Sequence, residues 1–309
     1  MNLQQFRFLR EIARRKFSLT AAAASLHTSQ PAMSKAIIDL EGELGVPVLA
    51  RHGRRVLGLT PPGQQVLHAA EVIMAEVDRL KKLARDYAGS PEGTLRVATT
   101  HTQARYVLPR VVGEFARRYP EVRLKLLEAK PLQIAAMLAS GEADLGIATE
   151  ALADAPALAS IEIYEWRHAA CVPPGHALAR FAKQPERLGL KDLARHPLIT
   201  YEGQFAGRSR IDAAFAAASI EPNIVLEALD ADVIKTYVGV GLGVGIVADL
   251  AIDAARDGVV ALPCGHLFGT NVARLAVKRG AYQRGFVYSF IELLAPGWDK
   301  RRLQEAFGL

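Results

Sequence analysis

Pro61-Pro62 on one side and Gly89-Ser90-Pro91 on the other bracket a stretch that reads as one long helix. Within it Val66, Ala70, Ile73, Val77, Leu80, Ala84 and Tyr87 recur at alternating spacings of four and three, which is three full heptads. At 1.5 Å per residue such a helix spans about 42 Å. Thr60 supplies an N-cap, and the two prolines fit the first turn, where a missing N–H costs nothing. A helix of this length has little neighbouring chain to pack its stripe against, so the protein divides around it. Docking onto the first helix of the chain accounts for part of the stripe. A dimer seam through Val66, Ile73, Val77 and Leu80 accounts for all of it.

The two flanks differ in charge. Residues 1–60 hold nine Lys/Arg and four acids, whereas the rest holds 29 and 28. A basic head on a nearly neutral body points to a polyanion, most simply nucleic acid, although a solvated helix face fits the charge alone equally well. Half the residues are hydrophobic and 23% charged, which excludes a disordered chain. Two cysteines, Cys171 and Cys264, exclude a disulfide framework and a cysteine-rich metal fold. Charges interrupt every apolar stretch of the first 20 residues, so no signal-peptide core is expected there. The longest apolar run, Val238 to Ala248, reads as a buried strand and not a membrane span. These features predict a soluble, cytoplasmic protein with no membrane partner.

In the head, Phe6, Leu9, Ile12 and Ala13 fall on one helical face, opposite Arg7, Arg10 and Arg14. A second short helix follows Ser18 as N-cap, and a third follows Ser29, with Pro31 in its first turn. On the third helix Met33, Ile37, Leu40 and Leu44 are expected inside. Ser29, Gln30, Pro31, Ser34 and Lys35 are then left at or near the exposed N-terminal half, suited to base edges and phosphates in a major groove. Val46–Ala50 and Val56–Leu59 read as two strands around a turn at His52-Gly53, with Arg51, Arg54 and Arg55 at the tip. A hairpin carrying guanidinium groups beside two such helices is the wing of a winged helix-turn-helix, where Arg51 and Arg54 would hold phosphates.

From Thr94 onward apolar strands alternate with amphipathic helices, the pattern of parallel α/β layers buried on both faces. Strands are expected at LRVATT, RLKLLEA, DLGIAT, HAACVPP, PLITY, IVLEAL, VGIVAD and NVARLAVKR, with a last helix from Tyr282 to Leu294. In such folds ligands lie at strand C-termini and helix N-termini. The first strand ends at Thr99, Thr100, His101, Thr102 and Gln103, more donors than one helix cap requires. Other strand ends deliver Thr149 and the trio Thr200, Tyr201 and Glu202.

The run TAAAASLHTSQPAMSKAIIDLEGELGVPVLAR followed by LTPPG resembles the signature of LysR-type transcriptional regulators. TTHTQARYVLP, GEADLGIATEAL, GRSRIDAAF and DADVIKTYVGVGLGVGIVA resemble the CysB-type branch, which controls sulfur assimilation. The resemblance implies an N-terminal winged helix-turn-helix (1–60), a linker and dimerisation helix (61–90) and a two-lobed α/β effector domain (91–309) like the periplasmic solute-binding proteins. Lobe I would take 91–163 and 268–309, lobe II 164–267. It further implies promoter DNA and RNA polymerase as partners and a homodimer or homotetramer. The effector would be a small sulfur-linked anion: sulfate, adenosine phosphosulfate, a sulfonate or an acetylserine-type compound. Thr100, Thr102, Gln103 and Thr149 match the branch's anion-contacting residues, while Glu202 stands where other members can carry threonine. A carboxylate repels a dianion, so Glu202 either points away or meets a cationic group of the ligand. A LysR-type regulator of another pathway, with another effector, is the alternative, and a solute-binding or enzymatic α/β protein a further one.

No enzyme, cofactor or metal site is expected. GVGLGVG follows a helix and enters a strand, the reverse of a dinucleotide loop. The eight histidines show no metal-ligand spacing, GxSxG is absent, and neither cysteine is paired with a base in sequence.

Overall fold

A computed structural model of the chain describes residues 1–53, 55–87, 92–149, 152–153, 155–203 and 206–308. They form two compact units, Met1–Ala88 and Gly89–Leu309.

The first unit runs α1 (Leu3–Arg14), α2 (Leu19–Ser25), α3 (Gln30–Leu44), β1 (Leu49–His52), β2 (Arg55–Leu59) and α4 (Pro61–Tyr87). Its helix starts follow the local chemistry: the side chains of Asn2, Ser18 and Ser29 accept from Gln5, Ala21 and Ala32 backbone N–H groups. Phe6, Phe8, Leu9, Ile12, Ala22, Met33, Ile37 and Leu40 form the core, closed by Val48 and Leu49 of the hairpin. Two expectations are corrected. Leu44 is 36% exposed, because α3 ends there and Gly45 turns the chain away in a left-handed conformation. The hairpin pairs Leu49–His52 with Arg55–Leu59, so Val46 and Pro47 precede the strand.

Helix α4 joins this core at its start. Thr60 caps it through Gly63 N–H, and Ala70 and Met74 are buried in the head with Val66 and Leu67 packed alongside. Val66 is therefore partly covered by its own head. Ile73 is 37% exposed and Leu80 65%. Gly63 is required by close approach: a Cβ there would lie 2.0 Å from the Val48 carbonyl oxygen.

The second unit continues with β3 (Gly93–Thr99), α5 (Leu108–Arg118), β4 (Val122–Glu128), α6 (Pro131–Ala139), β5 (Leu145–Ala148) and β6 (Leu158–Val172). Then come α7 (Leu190–Ala194), β7 (Leu198–Tyr201), α8 (Ala206–Ala217), β8 (Ile224–Ala228), α9 (Ala231–Gly239) and β9 (Val244–Ala248). The single turn α10 (Ala254–Asp257), β10 (Val260–Pro263), the single turn α11 (Gly265–Phe268), β11 (Thr270–Lys278), α12 (Gly285–Leu294) and α13 (Lys300–Phe307) complete it.

Two sheets result. The first has the order β4-β3-β5-β11-β6, with β3 parallel to β4 and β5 and β11 antiparallel to β5 and β6. The second has β6-β9-β7-β8, with β10 on the other side of β6 and β7 parallel to both neighbours. Strand β6 belongs to both: it pairs with β11 up to Arg167 and with β9 from His168. Two lobes follow, each with its own apolar core around Phe115 and Phe290 or around Ile211 and Phe215. HAACVPP was expected to hold a separate strand, yet β6 starts ten residues earlier than His168, at Leu158. Within Val238–Ala248 only Val244–Ala248 is strand, since Val238 and Gly239 form the end of α9 and Gly241 turns at φ 82°. Helix α13 follows the helix read as last, and β10 was not foreseen.

Candidate functional site

Strand β3 ends at Thr99, and the chain turns through Thr100, His101 and Thr102 into a π-helical turn, Gln103–Val107, that leads into α5. Such turns widen a helix and recur at functional sites. Here it carries Gln103 into a cleft between the lobes, partly open to solvent. Thr100, Thr102, Gln103, Pro131 and Thr149 line it from lobe I, Trp166 from the shared strand β6, and Tyr201, Gly207, Ala248 and Leu250 from lobe II. None of these ten lining residues is charged.

The polar atoms are arranged as donors. The Tyr164 hydroxyl donates to the Gln103 amide oxygen, which leaves the amide nitrogen as that side chain's other end. The buried Thr149 hydroxyl and the Trp166 indole N–H have no hydrogen-bond partner among the described residues. Tyr201 places its hydroxyl between Ala248 N–H, at 3.2 Å, and the Thr102 side chain. Burial keeps Tyr164 and Tyr201 protonated well above the ordinary phenol range. Behind this wall His168 is fully buried between Trp166 and Phe268, and burial, with Arg210 nearby, pulls its pKa down to about 4. The pocket is therefore lined by neutral donors at neutral pH.

The charges lie at its rims. On one side Lys130 Nζ, of lobe I, meets Glu202 of lobe II at 2.9 and 3.1 Å. On the other, His101 bonds Glu128 at 2.9 Å and faces Asp232 at 3.6 Å, while Tyr106 donates to Asp232 at 2.7 Å. Burial opposes the charged form of His101, but the Glu128 hydrogen bond and the Asp230 charge outweigh it and raise its pKa. Lys235 then donates to Tyr106, Ala251 O and Asp257. Burial works against the Asp257 carboxylate, yet the Lys235 hydrogen bond holds it at about 2. His101, Asp230 and Asp232 bring potential ligand atoms within 4.8 Å of one another. Asp230 caps Val233 and Asp232 meets four side chains, so these groups are already engaged by protein partners.

In the head, Ser29 caps α3, and Gln30, Pro31 and Lys35 are exposed with Ser34 half-buried beside them. Arg51, in β1, lies 3.5 Å from Glu41, whose other oxygen accepts from Val48 and Leu49 N–H. Arg54 lies outside the described residues. Residues 3–64 match the family profile described as "Bacterial regulatory helix-turn-helix protein, lysR family", and residues 88–299 match "LysR substrate binding domain". The chain belongs to the LysR family. It is a LysR-type DNA-binding regulator, not an enzyme.

This LysR-family chain is 52% identical over 99% of its length to the HTH-type transcriptional regulator CysB of Burkholderia cenocepacia, covering 97% of that protein. It is 47% identical over 96% of its length to the HTH-type transcriptional regulator SsuR of the same organism, covering 95%. Among solved structures, the cofactor-binding domain of the Cbl transcriptional regulator matches with a TM-score of 0.66 and 42% identity. That match spans 71% of this chain and 94% of the Cbl domain.

Measured against the sequence expectations for a LysR-type effector domain, the pocket gathers Thr100, Thr102, Gln103 and Thr149. It does not gather Thr200, whose buried hydroxyl donates to Ile246 O at 3.2 Å. Adjacent strand residues point to opposite faces, so the neighbour Tyr201 lines the cleft instead. Glu202 is paired with Lys130, a partner from the other lobe that the sequence did not indicate. His101 sits in the rim network and not in the wall. Tyr201, one of the strand-end candidates, does line the cleft, whereas Trp166 and Gly207 were missed as wall residues.

Proposed function

We propose that this LysR-type regulator controls sulfur assimilation genes, for cysteine biosynthesis or organosulfonate use, in response to a small sulfur-linked anion. The anion is bound by Thr100, Thr102, Gln103 and Thr149. The observation that carries this reading is the uncharged donor lining, with the Thr149 hydroxyl and Trp166 N–H buried and unpartnered. Neutral donors at a helix start hold a sulfate or sulfonate group without a paired cation. The resemblance to the CysB-type branch gives the sulfur class. In the head, Gln30, Ser34 and Lys35 meet the major groove, with Ser29 and Pro31 setting the helix start and Arg51 and Arg54 on phosphates. The exposed part of the α4 stripe, Ile73 and Leu80 with Val77, forms a dimer seam, with a tetramer and contact with RNA polymerase following from the family.

A ligand biases lobe closure only through different affinities for the two forms. Calorimetry on the full chain with sulfate, adenosine phosphosulfate and an organosulfonate tests the effector class; no binding of any of them refutes it. Thr100→Ala is expected to weaken binding about tenfold, the scale of one hydrogen bond to an anion. Unchanged binding in that variant removes the site but not the class. Ile73→Asp is expected to release monomers in sedimentation, and an unchanged profile counts against the seam.

A further inference from the structure

Lys130 and Glu202 come from different lobes and stand 72 residues apart, yet each adjoins a wall residue of the pocket, Pro131 and Tyr201. Their backbones are held by other partners: Lys130 N–H donates to Gln133 Oε1 and Glu202 N–H to Ala228 O. Their side chains are 31% and 36% exposed, so the pair is reachable from solvent and not locked in a core. Deeper in, the wall offers donors and no charge.

The three components set a charge problem for any anionic ligand. A purely anionic ligand that draws Lys130 toward itself strips the partner from Glu202 and leaves a carboxylate beside the anion, which is repulsive. A ligand bearing an ammonium next to its acidic group avoids this. Its ammonium takes the place of Lys130 on Glu202, and the Lys130 ammonium turns to the ligand's acid, so one ion pair becomes two. We propose that the Lys130–Glu202 pair is a charge gate that selects zwitterionic, amino-bearing acids over purely anionic ones of the same shape. This rests on the anion-binding reading of the pocket and adds its selectivity. Without ligand, the same pair ties the two lobes to each other.

Two sulfonates that differ only in the relevant group test it by calorimetry on the full chain: 2-aminoethanesulfonate and 2-hydroxyethanesulfonate, with inorganic sulfate as the third probe. The wild-type chain is expected to bind the amino compound about fivefold tighter than the hydroxy compound, the upper range of one partly exposed ion pair. Glu202→Gln is expected to abolish that preference and to tighten sulfate several-fold. Lys130→Met is expected to act oppositely, weakening sulfate and the hydroxy compound while keeping the amino preference. Opposite signs from the two variants separate a charge gate from a merely structural contact. Equal affinities for the two sulfonates in the wild type, or a preference that survives Glu202→Gln, overturns the gate and leaves the anion site standing. If the wild type binds none of the three probes, the anion reading falls and the gate with it.

Discussion

The outward face of α3 presents Gln30 and Lys35 to solvent, whereas the pocket in the second unit has an uncharged wall with Gln103 and Thr149 nearly out of water. Both arrangements suit negative charge. An exposed cation attracts a polyanion at range and displaces its counterions, so its contribution falls with salt. Buried neutral donors act only at contact, where desolvation strengthens each hydrogen bond, and salt screens them little. The comparison teaches that the charge excess in residues 1–60 marks one kind of anion recognition and is silent about the other.

The largest expected break between the two regions is in stability. Gly63→Ala forces a methyl group against the Val48 carbonyl, with no flexible side chain able to yield. Overpacking against backbone is expected to destabilise the head by about 3 kcal/mol. Calorimetric unfolding is expected to show the head transition lowered and the body transition unmoved; equal shifts in both would contradict the division into two units.

A smaller effect separates the body from the head by pH. His168 is held at about 4 against an ordinary 6.5, so the folded state prefers the neutral ring. That contribution is complete above pH 6.5 and is lost as pH falls toward about 4, where the folded form also takes up the proton. Linkage gives a loss of about 2 kcal/mol between pH 7 and pH 5. His101, whose pKa is raised, works in the opposite direction, its stabilising contribution fading as pH rises through its folded value. The difference between wild type and His168→Leu isolates His168. Denaturant unfolding of that variant is expected to lack this acid loss, and parallel pH curves for the two proteins would count against it.

The smallest expected effect sharpens the contrast in salt. Lys35→Ala is expected to weaken binding to all DNA sequences alike and to lower the salt slope by about one unit, worth about 1 kcal/mol in dilute salt. Sulfate binding to the pocket is expected to change little over the same salt range. Identical salt slopes for DNA binding in Lys35→Ala and wild type would remove Lys35 from the phosphate contacts.

Much of this was legible locally. Ser18 and Ser29 announced their helices because a cap and the helix it starts are a few residues apart. Met33, Ile37 and Leu40 announced the core face of α3 through their spacing alone. The donors Thr100, Thr102, Gln103 and Thr149 were legible as strand ends, since parallel α/β sheets place ligands there. The boundary inside Val238–Ala248 was not legible, because an apolar run has no period to distinguish the last turn of a helix from a buried strand.

What the sequence by itself determined is what nearest neighbours along the chain decide: helix starts, apolar faces, the heptad stripe, and the alternation of strand and helix. The tertiary structure alone decided which of those surfaces meet. It put Val66 and Ala70 into the head, turned Tyr201 and not Thr200 toward the pocket, and ran β6 through two sheets. It also brought Lys130 to Glu202. The reason is physical. A side chain's environment is set by which strand lies beside it and with what register, and a shift of one residue reverses its face. No window along the chain carries that information, so the charge at position 202 read as a repulsion in sequence and is an ion pair in the fold.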